Sequence, residues 1–445
     1  MDRLVNAINE TLWGAPMLVL LVGCGIYLSI RLNFLQVRRV YEWLFCTLSS
    51  MFKKREKTDT GITPYQALSS ALASTIGSGN IVGVATAIAA GGAGAVFWMW
   101  FSAFFGMATK YTEIYLALKF RKRKGDSFFG GPMYYIENGL GKSFSWLACV
   151  FAFSGAIACI GMGSMNQANS ISAVATKALP VSETVVGITL FVLTVVGISG
   201  GIKKISKVTE KLVPIMAILY IGTGLFIILF NIKSVVSAFL LIFTSAFSPT
   251  AVYGALGGEM MRRAVRFGVA RGVFSNEAGL GTSPIVHAAA NAESPDKQGL
   301  WGIFEVFVTT IVICTITALV IICGKNLPEA ETGVRLVSSA FSGYIGKTGA
   351  FVVEISTVLF AFTTILGWSY YGETCVAYLF HENDRARKIY RAIFALSVIF
   401  GATQKTESVW ALSDLFNGVM ILPNLIAVIL LSGIVIRENK EKRSL

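Results

Sequence analysis

This sequence is short of charge and nearly devoid of imidazole. Of its 445 residues 14% are charged, against about 25% in an ordinary soluble domain. Only two are histidine, His287 and His381, so catalysis or metal binding by imidazole is poorly provided for. Seven cysteines fall mostly inside apolar runs and none has CxxC spacing, which argues against a disulfide framework or a zinc site. No His/Asp/Glu constellation suited to covalent chemistry is visible, so the chain does not read as an enzyme and calls for no cofactor. The first apolar run, residues 13–30, lacks a basic segment before it and is followed by many more runs. It reads as a retained helix rather than a cleaved signal.

What fills the space left by charge is hydrocarbon: 54% of residues are hydrophobic, and the mean hydropathy is +0.66. Long uncharged runs recur along the whole chain, which marks an all-α integral membrane protein. The formal charge of +13 could suggest nucleic acid or anionic lipid. Most Lys and Arg, however, are gathered in a few loops, which is a topology signal and gives no nucleic-acid partner. Residues 31–60 carry Phe34, Val37, Val40, Tyr41 and Leu44 at helical spacing among charges, the pattern of an interfacial helix. Apolar residues 235–258 are cut by Ser245, Ser248 and Pro249. If that segment does not span, about eleven helices remain, and every strongly basic cluster falls on one side. Those clusters are the loop after Ile30, 119–124, 203–211, 385–391 and 437–443. That side is expected to be the cytoplasm, with the C-terminus there and the N-terminus outside the cell membrane. Lys110 and Glu113, three residues apart near a helix end, are expected to pair close to the headgroups.

Two runs are interrupted. Residues 64–92 are charge-free and long enough to cross a bilayer, yet contain Gly77-Ser78-Gly79-Asn80; a second interruption lies at Phe274-Ser275-Asn276-Glu277-Ala278-Gly279-Leu280-Gly281. Small residues can merely let helices pack closely. Paired interruptions, however, expose backbone where only protein or a cavity can satisfy it, and so point to a small polar ligand between them. With about five spans between the two breaks, the halves should have opposite orientation. The expected organisation is an N-terminal helix with its interfacial segment (1–63), a first repeat (64–231), a second repeat (232–436) and a tail (437–445).

Together with Gly91-Gly-Ala-Gly-Ala-Val-Phe-Trp-Met-Trp100, Gly130-Gly-Pro-Met133, Leu366-Gly-Trp-Ser-Tyr-Tyr-Gly-Glu373 and Pro423-Asn424, these stretches resemble the alanine/glycine:cation symporter family over nearly the whole chain. The resemblance implies the LeuT-type fold, a five-plus-five inverted repeat behind one extra N-terminal helix. It also implies sodium-coupled uptake of small neutral amino acids. Two departures are visible: Ser78 stands where the family commonly has threonine, and Ala93 where it commonly has proline. A proton-coupled permease of the same fold is the alternative.

An amino-acid zwitterion in hydrocarbon needs donors for its carboxylate and acceptors for its ammonium. The amides around Gly77, Ser78, Gly79 and Asn80 suit the carboxylate. The carbonyls of Phe274, Ser275 and Asn276 suit the ammonium. By family position Gln167 faces this site, and Phe274 and Trp368 should close over a methyl-sized side chain. Glu277 either pairs with Arg271 or braces its own unwound segment. The resemblance pairs the first and eighth core helices around sodium, held here by the carbonyls of Ala73 and Ile76 and the hydroxyls of Thr363 and Thr364.

Overall fold

The computed structural model of this protein describes residues 9, 12–51, 60–247, 255–324, 333–404 and 406–444. Among the described residues helices dominate, and the strands are one hairpin, β1 (Lys122–Lys124) and β2 (Ser127–Phe129), paired antiparallel with Lys122 opposite Phe129. The first run forms α1 (Ala15–Arg31). After it come short helical segments Leu35–Arg38, Tyr41–Cys46 and Thr47–Met51. Tyr41 and Phe45 are exposed, while Trp43 is buried with its ring centroid 5.2 Å from that of Phe307. The rest of the expected interfacial segment, 52–59, lies outside the described residues.

The first interrupted run is α2 (Pro64–Thr75) and α3 (Val82–Gly91). Thr63 and Gln66 cap α2 reciprocally, and Pro64 supplies its first turn, so the start of the helix is fixed by sequence chemistry. There follow α4 (Gly94–Lys119), α5 (Pro132–Leu140) and a long span made of α6 (Ser145–Ala158), a π-helical turn (Cys159–Met165) and α7 (Asn166–Ala178). Next are α8 (Glu183–Ile198), α9 (Gly201–Phe230) and α10 (Ile232–Phe247). Helix α10 has 16 residues, about 24 Å at 1.5 Å per residue, short of a hydrocarbon core of about 30 Å. It buries Val235, Ala238, Ile242 and Ala246 on one face and exposes Val236, Leu240 and Phe243 on the other. Ser248 and Pro249 lie outside the described residues.

The second interrupted run is α11 (Ala255–Asn276) and α12 (Ser283–Ala288). Then come α13 (Pro295–Val306), a π-helical turn (Phe307–Cys314), α14 (Thr315–Ile322), α15 (Gly333–Ile345), α16 (Lys347–Leu379), α17 (Asp384–Thr403) and α18 (Thr406–Ser444). Of the polar connection before α16, α15 is a packed helix, and 325–332 lie outside the described residues.

Among the described residues five helical spans are long and apolar enough to cross a membrane. Large apolar side chains such as Val19, Ile218, Phe230 and Val236 point outward, while Asn80, Lys110, Glu113, Gln167, His287 and Glu305 are buried. That polarity is the reverse of a soluble core and suits a lipid solvent. Helix α4 runs through the middle, packed on α11 and α13. Its closeness to α11 depends on Gly268 and Gly272: a Cβ at Gly268 would lie 2.4 Å from the Ala95 carbonyl oxygen, and one at Gly272 would lie 2.5 Å from Ser102 Oγ.

Ion pairs gather the basic clusters at one end. Lys119 pairs with Glu438, Lys124 with Glu382 (2.8 Å), and Asp296 with both Arg39 (2.7 Å) and Lys442 (3.6 Å). Lys203 shares a cavity with Arg387 and Arg391. The structure differs from expectation at Lys110 and Glu113. Both are fully buried, and Lys110 pairs with Glu305 of α13 rather than with Glu113. Glycines Gly299 and Gly302 admit this arrangement, since a Cβ at Gly302 would lie 2.9 Å from Lys110 Cγ.

Candidate functional site

The helix of the first interrupted run stops because Ile76 (φ −80°, ψ 80°) and Gly77 (φ −114°, ψ −161°) leave helical geometry, and Ser78–Asn80 form a single tight turn before α3 resumes. The Gly77 N–H donates to Asn80 Oδ1 (3.2 Å) and the Ser78 N–H to Gln167 Oε1 (3.2 Å). Gln167 is aimed by its own amide, which donates to the Met162 carbonyl in the π-helical turn (3.1 Å). A π-turn carries an extra residue and so redirects the following side chains, which is what brings Gln167 to the break. Ser78 is fully buried, and its hydroxyl has no hydrogen-bond partner among the described residues. The expected carboxylate subsite is therefore a concentration of donors, one of which is uncommitted.

In the second interrupted run α11 continues through Asn276, and Glu277 breaks it with φ 56°. The Ala278 N–H, which a continuing helix would give to the Phe274 carbonyl, is bonded to Asn276 Oδ1 instead (3.0 Å). Gly279 (φ 92°) and Gly281 (φ 77°) then reverse the chain, conformations strained for any L side chain. Asn80 Nδ2 donates to Ser275 Oγ (2.8 Å) and to the Thr309 carbonyl (3.0 Å), so the two breaks are in direct contact. Asn276 Nδ2 reaches Thr310 Oγ1 (3.2 Å) on the same π-turn.

Phe274 covers Gly79: a Cβ there would lie 2.8 Å from Phe274 Cδ1. Trp368 is fully buried against Gly163, where a Cβ would lie 2.2 Å from Trp368 Cβ. Glu277 is not the partner of Arg271. Its carboxylate accepts from the Thr282 hydroxyl (2.5 Å) and from Trp368 Nε1 (3.2 Å), whereas Arg271 pairs with Asp414 (3.4 Å). A cavity of about 120 Å³ beside Phe274 is lined by Trp13, Arg266, Arg271 and Asp414; another, of about 300 Å³, is lined by Tyr370, Glu373, Arg387 and Arg391.

Of the expected sodium ligands, the Thr364 hydroxyl lies 3.1 Å from the Ala73 carbonyl and 2.9 Å from the Phe360 carbonyl. The Thr363 hydroxyl bonds back to the Phe360 carbonyl (3.0 Å) and faces Met216 of α9, so the two threonines do not converge. The Ile76 N–H still donates to the Leu72 carbonyl (2.7 Å), which places the departure from helix just beyond it.

Sequence reasoning missed Thr75, Glu305 and Ser283, which touch one another or Lys110 next to both breaks. The signal was present, because Glu305 is a carboxylate inside an apolar run.

A profile described as the sodium:alanine symporter family matches residues 1–443. The sodium/alanine symporter AgcS of Methanococcus maripaludis is 46% identical over 448 residues, covering 98% of this chain and 96% of that protein. An uncharacterized transporter of Haemophilus influenzae is 45% identical, covering 99% and 96%. A probable sodium/glutamine symporter, GlnT, of Bacillus subtilis is 36% identical, covering 99% and 90%.

Proposed function

Because the chain belongs to the sodium:alanine symporter family, we propose that it takes up alanine and glycine together with sodium, by alternating access to a site between the two helix breaks. The observation that carries this reading is the 2.8 Å bond from Asn80 to Ser275, which joins the two breaks next to the buried Ser78 hydroxyl, a group with no hydrogen-bond partner among the described residues. The substrate carboxylate takes the donors of Ser78 and Asn80, with Gln167 yielding the Ser78 N–H. The ammonium takes carbonyls at the end of α11, and Phe274 and Trp368 enclose a small side chain. Sodium lies between the Ala73 carbonyl and Thr364. The ten-helix core is read as two inverted repeats, 64–231 and 232–436, behind the N-terminal helix, with the basic clusters in the cytoplasm.

No bond is made or broken in the cargo, and no cofactor enters. One charge moving inward gains about 2.3 kcal/mol per 100 mV, enough for roughly fiftyfold accumulation before the sodium gradient is counted. The cavity lined by Phe274 adjoins the second break. The test is uptake of labelled alanine and glycine into proteoliposomes under imposed sodium or proton gradients. Sodium-driven accumulation is expected, and accumulation driven equally by protons alone would replace this reading with the permease. A relative named for glutamine makes competition by unlabelled glutamine the useful second arm; the buried Trp368 and Phe274 favour weak competition.

A further inference from the structure

The two breaks are joined twice, and the second junction is a ring of buried polar contacts closed through the Thr282–Ser283 and Ser74–Thr75 backbone links. The Thr75 hydroxyl, at the last residue of α2, lies 2.8 Å from Glu305 Oε1. The same oxygen lies 3.4 Å from Lys110 Nζ, which donates to Ser283 Oγ (2.8 Å) at the first residue of α12. One residue earlier, the Thr282 hydroxyl donates to Glu277 Oε2 (2.5 Å). The other Glu277 oxygen takes Trp368 Nε1 (3.2 Å), and that indole N–H also lies 3.2 Å from the Ser74 carbonyl, back beside Thr75. All the side chains in the ring are at most 4% exposed. The second Glu305 oxygen is held by His287 Nε2 (3.2 Å), whose Nδ1 accepts from Gln298 (2.7 Å), so the carboxylate has little freedom to turn.

The ring adjoins the first break and includes Trp368, the residue over the proposed ligand, while Thr75, Glu305 and Lys110 lie outside both subsites. The Thr75 carbonyl accepts the Gly77 N–H (3.0 Å), so anchoring Thr75 sets the angle at which α2 gives way beside Ala73. At the far side Glu277 is the residue whose positive φ opens the second break, and Trp368 is the residue over the proposed ligand. A buried charge pair broken on one side is strongly unfavourable, so Glu305 and Lys110 move together and carry Thr75 and Ser283 with them.

We propose that Thr75, Glu305 and Lys110 are positioning residues that make sodium and amino-acid binding interdependent, by transmitting the geometry of the first break to Glu277 and Trp368. This rests on the symport reading above. By linkage, sodium raises alanine affinity by the same factor as alanine raises sodium affinity, and coupled sites typically show about fivefold or more.

The experiment is alanine binding to the purified full chain, titrated without and with saturating sodium. Wild type is expected to show the sodium-induced rise. Thr75→Val, which removes one buried hydroxyl, and Glu305→Gln are expected to reduce that rise at least about fivefold or abolish it. Thr75→Ser, which keeps the hydroxyl and loses the methyl, is expected to retain it; were Thr75 only packing, serine and not valine would be the damaging change. Folded Thr75→Val protein with wild-type sodium dependence overturns the inference, whether or not Glu305→Gln folds. Wild type with no sodium effect on alanine affinity overturns the symport reading instead.

Discussion

Trp368 Nε1 lies 3.2 Å from Glu277 Oε1 and 3.2 Å from the Ser74 carbonyl, so one indole N–H bridges the two interrupted helices. The ring has two separable roles, filling volume over the ligand and supplying that N–H.

Two substitutions separate them. Trp368→Phe keeps most of the volume but leaves a buried carboxylate and a carbonyl each short of a donor, a loss of about 1–3 kcal/mol. The alanine concentration for half-maximal uptake should rise about tenfold, with small-substrate selectivity kept. Trp368→Ala should instead admit competition by leucine and methionine. Competition unchanged in Trp368→Ala would mean that the indole is packing and the pocket lies elsewhere.

A second prediction concerns how closely α2 and α16 approach. A Cβ on Gly367 would lie 1.8 Å from Ser74 Oγ and 3.3 Å from Ser74 Cα. Rotating the serine relieves only the first contact, so Gly367→Ala should part the helices and cost about 1–3 kcal/mol, with uptake lost at normal surface expression. Gly433→Ala, where nothing lies within 4 Å of the added carbon, is the matched control and should be silent. Both are read by thermal midpoint in detergent and by uptake.

How much of this is legible in the sequence differs by kind of feature. Both breaks are visible because a glycine cluster inside a charge-free run exposes backbone that hydrocarbon alone cannot satisfy. That they face one another is what paired interruptions imply, whereas the contact of Asn80 with Ser275 is given by the packing. Phe274, Trp368 and Gln167 do sit beside the breaks, Gln167 through a π-turn that nothing in 159–165 announces. The Glu305 ring is not legible, because pairing Lys110 with Glu113 needs only helical spacing, whereas pairing it with Glu305 needs the packing of α4 on α13. Local periodicity is blind to such partners, 195 residues apart. Thr363 is a further case: adjacent side chains on one helix diverge by about 100°, and its hydroxyl bonds back to the Phe360 carbonyl while Thr364 reaches Ala73 across the break, a difference that the sequence alone does not carry.

The third prediction is the orientation of the chain. Ion pairs of Lys119 with Glu438 and of Lys124 with Glu382 put the hairpin, the start of α17 and the C-terminal tail at one end. Positive-inside bias assigns that end to the cytoplasm. A reporter fused after Leu445 should therefore be active only in its cytoplasmic mode, and a fusion before Met1 only in its external mode. A C-terminal reporter active outside would remove the eleven-span count and the inverted repeat with it.

The last prediction separates the two threonines of α16. Sodium needs several hard oxygen ligands, and neutral hydroxyls and carbonyls at a helix break supply them without a buried charge. The Thr364 hydroxyl sits between the Phe360 carbonyl of its own helix and the Ala73 carbonyl across the break, at 2.9 and 3.1 Å. Gly77 makes room for it, since a Cβ there would lie 2.8 Å from Thr364 Oγ1. An ion entering this gap takes oxygens already aimed at it, and the hydroxyl has only to turn its proton away. Thr363 shares the Phe360 carbonyl at 3.0 Å but makes no bond across the break among the described residues; its oxygen faces the Met216 sulfur at 3.7 Å, a soft atom that sodium does not favour. Thr364→Ala should therefore raise the sodium concentration for half-maximal uptake by about tenfold, the equivalent of one lost ligand at about 1.4 kcal/mol, with the protein still inserted and monodisperse. Thr363→Ala should shift it less than about twofold, and because both hydroxyls bond the Phe360 carbonyl the two changes are coupled, so the double variant should need at least as much sodium as Thr364→Ala. Sodium dependence unaltered in Thr364→Ala would place the ion elsewhere; a larger effect from Thr363 would mean that α16 rotates when the ion binds.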